Sequence, residues 1–191
     1  MVVRILAMVI IVIFYGLYFA KLIYLNKQSV KANQMGKGNK PKKVLIIERV
    51  MSCATILTFG VGFLSVIFAK EVPFIAIRVV GVICGVLGVV FFAMASITMK
   101  KSWRVGIPEE KTSLVTVGIY KWSRNPAFVG FDMLYLSICL LFFNIPVVLV
   151  SMWAAVMLHL QILQEEKHMV NMFGSKYEEY KEHTLRYFGR R

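Results

Sequence analysis

The sequence predicts an all-α integral membrane protein with about five transmembrane helices. The last two form a hairpin, and helical connecting and C-terminal segments lie on the cytoplasmic side. Three observations carry that expectation. Of the 191 residues, 58% are hydrophobic and only 17% charged, whereas a soluble domain usually carries about a quarter charged residues; this much apolar and aromatic content also excludes disorder. The apolar residues come in runs longer than the roughly 20 residues that cross about 30 Å of hydrocarbon, not in the stripes of an amphipathic helix. The net charge of +13 gathers beside these runs, where anionic headgroups account for it without a nucleic acid.

Val2 to Leu25 forms the first span, with Arg4 and Lys21 near its ends where long side chains can snorkel. It has neither a basic leader nor a small-residue cleavage site, so it reads as a retained helix. Val44 to about Ala69 and Pro73 to about Met99 form the second and third. In the third, Gly81, Gly85 and Gly88 share one helical face and permit a close helix contact. The apolar stretch Phe128 to Leu163 is interrupted at Asn144-Ile145-Pro146. Proline is tolerated best at a helix start, which splits this stretch into a hairpin. Its halves, at about 16 and 18 residues, fall short of a full span and are expected to lie partly within the protein or reach only the interface. The chain therefore divides into a bundle of three helices over 1–99, with a basic loop at 26–43, and a chemical region over 100–191 that includes the 128–163 hairpin.

Charge sets the expected orientation. The 26–43 loop carries Lys27, Lys31, Lys37, Lys40, Lys42 and Lys43 with no acid, and the segment 100–126 holds six basic residues against Glu109 and Glu110. Lys70-Glu71-Val72 and Asn144-Ile145-Pro146 have no net charge. Both basic segments then face the cytoplasm, with the N-terminus outside and the C-terminus inside, in a cell inner or plasma membrane. Arg4 is the one dissenting charge. The glycine-containing stretch 36–41 reads as a flexible turn with solvated lysines. Cys53, Cys84 and Cys139 fall singly in different apolar runs, which suggests neither a disulfide nor a metal site.

Polar residues that could carry chemistry gather in two places. The first contains Ser102-Trp103-Arg104, then LVTVGIY (114–120) and RNPAFVG (124–130); the second contains Gln164-Glu165-Glu166 and FGSKYEEY (173–180). In order and spacing these elements resemble the isoprenylcysteine carboxyl methyltransferase family and, more broadly, membrane-embedded methyltransferases that include phospholipid N-methyltransferases. The resemblance covers roughly Ser102 to Arg191. It implies S-adenosylmethionine as cofactor, with Leu114, Val115, Tyr120, Asn125, Pro126, Phe128 and Glu165 at positions matching cofactor contacts and Arg124 and Glu166 beside them. Three positions depart from the family pattern: Asn125 replaces a histidine, Phe128 a tyrosine, and Gln161 the arginine that engages the substrate carboxylate. An amide cannot make arginine's charge-assisted, bidentate contact, so the cofactor half of the resemblance is stronger than the substrate half.

Residue chemistry supports the comparison. Glu165 can accept from an ammonium group. Arg124, Asn125 and the backbone near Pro126 precede a helix whose first N–H groups favour an anion, and Tyr120 and Phe128 can flank a ring. Gln161 and Glu165, four apart, share a helical face with His159 nearby. Blander readings stand beside these: Pro126 as a plain helix start with Arg124 as its anchor, Glu165 and Glu166 as a solvated helix end, and Tyr177, Tyr180, Tyr187 and Phe188 as an amphipathic helix lying on the bilayer.

The expected function is an S-adenosylmethionine-dependent methyltransferase acting at the cytoplasmic membrane face on a lipophilic or lipidated substrate such as a prenylcysteine-like carboxylate. Arg104 is the candidate cation in place of the missing arginine. Gln161 and His159 are the other candidate catalytic residues, and His159, Asp132 or Glu166 would serve an acceptor that must lose a proton. The alternatives are a lipid amine methyltransferase, a sterol-reductase-like enzyme using NADPH, or a non-enzymatic scaffold. No nucleic acid and no obligate protein partner are inferred; the bilayer is.

Overall fold

The computed structural model describes every residue except Glu109 and Lys111. It is all-helical among the described residues, with six α-helices: α1 (Val2–Lys27), α2 (Lys42–Phe68), α3 (Ile75–Met99), α4 (Pro126–Leu141), α5 (Ile145–Phe173) and α6 (Ser175–His183). Four of them, α1, α2, α3 and α5, are long and apolar enough to cross a membrane. The expected fifth, α4, has 16 residues and is shorter than a full span. Large apolar side chains such as Val12, Ile83, Leu149 and Val156 remain exposed on the outer faces, as lipid contact requires.

The hairpin breaks where expected. Asn144 Oδ1 accepts from the Val147 N–H at 3.0 Å, capping α5, and Pro146 occupies its first turn. The second half is longer than the hydropathy suggested: α5 continues ten residues past Leu163 to Phe173. Gln, Glu, Lys and Met are good helix formers even where they are too polar for an apolar run.

Arg4 is occupied by a helix end and Arg78 by the α2–α3 connection. Arg4 donates to the Ile67 and Ala69 carbonyls, at 2.7 and 2.9 Å, at the C-terminus of α2, where unpaired carbonyls and the dipole favour a cation. Arg78 pairs with Glu71 at 3.3 Å.

The glycine face of α3 packs against α4 as expected. A Cβ on Gly88 would lie 2.8 Å from the Gly130 carbonyl oxygen and 3.1 Å from the Leu134 nitrogen, so the two backbones touch. Gly88→Leu is therefore expected to destabilise the bundle by about 1–3 kcal/mol through overpacking. Gly16→Leu, with nothing within 4 Å of an added Cβ, should melt as the parent does. Thermal unfolding in detergent checks both, and equal melting of the two variants would refute the contact.

At the motif-bearing end, Phe14, Phe92 and Phe131 form an aromatic cluster with ring centroids 4.9–5.7 Å apart. Against it lies the 103–107 segment, which pairs with the α1–α2 connection: Val105 donates to the Ala32 carbonyl (2.8 Å) and Gln34 to that of Val105 (2.9 Å). The 36–41 stretch is only partly solvated, with Lys37, Gly38 and Asn39 exposed and Lys40 turned inward. Lys40 is buried in an ion pair with Glu48 of α2 at 2.8 Å.

Candidate active site

The site is assembled from residues 102–108 and 112–115, the 118–121 turn, the start of α4, the C-terminal third of α5, and α6. The LVTVGIY motif ends in a short 3-10 turn, Gly118–Lys121. Gly118 has φ +60° and approaches Thr98 so closely that a Cβ would sit 3.0 Å from its hydroxyl, so a side chain is disfavoured on both counts. The turn delivers Tyr120 to the interior, where it is 7% exposed. Burial, chiefly, with Tyr180 and Glu165 nearby, pushes the Tyr120 phenol far above its ordinary range, so it stays neutral and serves as a hydrogen-bonding wall rather than a base. Pro126 opens α4 at its first position and presents Ala127 and Phe128.

Leu114, Val115, Tyr120, Arg124, Asn125, Phe128, Glu165 and Glu166 line one narrow slot of about 110 Å³, together with Arg104 and His168. Nine of the twelve site residues expected from sequence thus converge there. The other three do not line it. Pro126 acts as the helix start. Gln161 is fully buried behind Glu165 and donates to its Oε1 at 3.0 Å, the contact expected of an i, i+4 pair. His159 faces elsewhere: its Nδ1 bonds the Tyr187 hydroxyl.

Two of the lining residues are largely committed to each other. Glu166 accepts from Arg124 (Nε, 3.0 Å), Asn125 (Nδ2, 3.1 Å) and Arg186 (Nε, 3.0 Å). Arg124 also donates to the Lys181 and Thr184 carbonyls. This clamp binds the C-terminal tail to the start of α4, and the hydrogen bond that Arg186 donates to Glu166 raises the Arg186 pKa further. The solvated helix end considered for Glu166 is not observed; Glu166 is 6% exposed. Nor do the two tyrosines of α6 face outward, whereas Tyr187 and Phe188, beyond α6, are exposed. Tyr177 and Tyr180 are buried, and the Tyr180 hydroxyl donates to the Tyr120 carbonyl at 2.6 Å, closing the slot.

Among the described residues, Glu165 and Arg104 are the lining charges with the weakest pairing. Glu165 has one side-chain partner, the neutral Gln161 amide. Arg104 donates to the Lys101 and Trp103 carbonyls, approaches the exposed Glu110 only at 3.8 Å, and keeps a buried Nε with no partner. Both residues also line a second space, an apolar groove of about 370 Å³ between α1, α2 and the aromatic cluster, walled by Tyr15, Tyr18, Met51, Ile56 and Phe131. Groove and slot share Trp103, Arg104, Gly106, Ala127, Phe128 and Glu165.

The lining fits S-adenosylmethionine on chemistry: an underused carboxylate, Glu165, for its cationic end, and aromatic and aliphatic walls for its base. Among the described residues no cluster of His, Cys, Asp or Glu could hold a metal ion.

Glu48 escaped the sequence reading. It is wholly buried and accepts from the Gly36 N–H (2.7 Å), the Ile107 N–H (2.8 Å) and Lys40, pinning both segments that wall the groove and slot. Its signal was a lone acid inside an apolar span, costly unless paired.

Comparison with known proteins agrees with the motifs. The protein-S-isoprenylcysteine O-methyltransferase of Dictyostelium discoideum is 31% identical over 107 residues, which make up 53% of this chain and 45% of that enzyme. The match thus spans less than half the length of the relative. The sequence model of phospholipid methyltransferases matches residues 57–176, reaching further toward the N-terminus than the motifs, through α3 and into α2. That match covers more than half of the chain, and with the motifs standing together in one slot it establishes that this protein belongs to the phospholipid methyltransferase family.

Proposed function

We propose that this protein is an S-adenosylmethionine-dependent O-methyltransferase acting at the cytoplasmic membrane face on a lipophilic acceptor that ends in a carboxylate. One observation carries the reading: a slot that holds charged side chains and an apolar groove open onto each other at Arg104, Phe128 and Glu165. Methyl transfer is an in-line displacement, so donor and acceptor must approach the methyl group from opposite sides. When bound, S-adenosylmethionine supplies an electrophilic methyl group. Everything else falls to the chain. Glu165 holds the positive end of the donor, Leu114, Val115, Tyr120 and Phe128 enclose its base, and the apolar groove takes the acceptor's lipid portion. Arg104 orients the acceptor carboxylate, which is ionised at neutral pH and needs no base. Burial of the junction excludes water and holds the reactants close, which is the main catalytic contribution such a site can make.

The name of the Dictyostelium relative supports O-methylation. His159, the histidine expected from sequence, lines neither space, whereas His168 lines the slot. Calorimetry of the purified protein with S-adenosylhomocysteine and, separately, with NADPH tests the donor: binding of the first and not the second is expected, and the reverse would overturn the reading. Glu165→Gln should weaken S-adenosylhomocysteine about 10- to 150-fold, the worth of one charge-assisted contact of roughly 1.5–3 kcal/mol. Unchanged affinity in a folded variant would remove Glu165 from the donor site.

A further inference from the structure

We propose that a second cleft, between the N-terminus of α2 and the cytoplasmic part of α5, binds a phosphate-bearing anion, the headgroup of an anionic membrane lipid or free phosphate. The cleft encloses about 520 Å³ and is separate from the apolar groove. Its walls include Lys40, Lys43, Lys167, His168, Gln164 and Asn171, and no acid among the described residues lines it.

Four observations converge on an anion. Gln164, Lys167, His168 and Asn171 fall at i, i+3, i+4 and i+7 of α5, so one helical face is wholly polar and turned into the cleft. Lys43 and Lys167 are exposed and have no acidic partner among the described residues, whereas Lys40 is neutralised by Glu48. The Nε2 of His168 is buried and has no partner among the described residues, so it is available to bond an anion. Finally, α2 begins with Lys42 and Lys43, has no acid in its first turn and no side-chain cap. Cations at the positive end of a helix dipole are unfavourable, and a bound anion there offsets both the dipole and the lysines. Phosphate suits this set, because its several acceptor oxygens can take bonds from two ammonium groups, an imidazole and peptide N–H groups together.

The position gives the site a consequence. Ile107, Pro108 and His168 line both this cleft and the candidate donor slot, so an anion in the cleft stiffens a wall of that slot. The lysines face the side expected to meet the anionic leaflet.

The test uses the full chain in phosphatidylcholine nanodiscs, with no methyl donor or acceptor, so its outcome is independent of the methyltransferase reading. One arm titrates inorganic phosphate at constant ionic strength and follows thermal unfolding. The other replaces part of the phosphatidylcholine with phosphatidylglycerol and follows unfolding together with retained lipid by native mass spectrometry. Saturable stabilisation in at least one arm is expected. The K43Q/K167Q variant should weaken it about tenfold, and K100Q/K176Q, two exposed lysines outside the cleft, should not. Stabilisation by the lipid alone identifies a headgroup site, and stabilisation by inorganic phosphate identifies the free anion as sufficient. No saturable effect in either arm, or equal loss in both double variants, would overturn the proposal; Lys167→Arg, which keeps the charge, should bind as the parent does.

Discussion

Glu48→Ala is expected to destabilise the protein by about 3–5 kcal/mol, the usual cost of removing one partner of a buried ion pair. Glu48 is fully buried and the Lys40 side chain is 5% exposed, so deletion strands an ammonium group in a dry site. It also orphans the Gly36 and Ile107 N–H groups, which Glu48 accepts at 2.7 and 2.8 Å, and unmade buried bonds cost more than made ones gain. Because those peptides belong to the two segments that flank Arg104, the variant should also lose order around the slot. Thermal unfolding of Glu48→Ala, Lys40→Met and the double variant gives the cycle that isolates the pair. The double variant should be less destabilised than Glu48→Ala alone, since an apolar side chain replaces the stranded charge. A loss below about 0.5 kcal/mol for Glu48→Ala, the range of ordinary surface changes, would show that the pair does not hold these segments.

The helices were legible because membrane crossing requires a long unbroken apolar run, and α1, α2 and α3 satisfy it within a few residues of the expected bounds. The hairpin was legible because Asn144 and Pro146 are the residues that begin a helix. Hydropathy could not reveal that α5 continues to Phe173, since Gln164 to His168 are polar yet helical, whereas the shortness of α4, at 16 residues, was already legible in the first half of the hairpin. At the site, the ordered motifs brought Leu114, Val115, Tyr120, Asn125, Phe128 and Glu165 together. Spacing could not say which face of α6 is buried: Tyr177 and Tyr180 look like a membrane-surface stripe until the Tyr120 carbonyl supplies a partner. Arg124 and Glu166 stand 42 residues apart, and no local pattern reveals that they join. Glu48 was missed for a related reason, because its partners lie in two other segments and only folding supplies them.

Arg104→Ala is expected to lower kcat/KM for methyl transfer by about 2–5 kcal/mol, roughly 30- to several thousand-fold, while leaving S-adenosylhomocysteine affinity within about twofold. The family's substrate arginine is replaced by Gln161, and Gln161 is buried behind Glu165 with its carbonyl oxygen unpartnered and its amide on Glu165. From there it reaches neither the slot nor the groove. A carboxylate entering by the groove would be desolvated at the junction, and an unpaired charge there is costly. Arg104 is the cation that lines both spaces. Its bonds to the Lys101 and Trp103 carbonyls fix the side chain without neutralising it, and its unpartnered Nε is a buried donor left for an anion. Snorkelling toward lipid phosphate, the competing role for this residue, does not match a side chain that is 10% exposed. The assay uses a prenylated cysteine in parallel with its amide, which lacks the carboxylate. The parent should methylate the first alone, and Arg104→Lys, which keeps charge but not the planar fork, should recover part of the loss. Full activity of Arg104→Ala, or methylation of the amide by the parent, would sink the assignment and point to a neutral or amine acceptor.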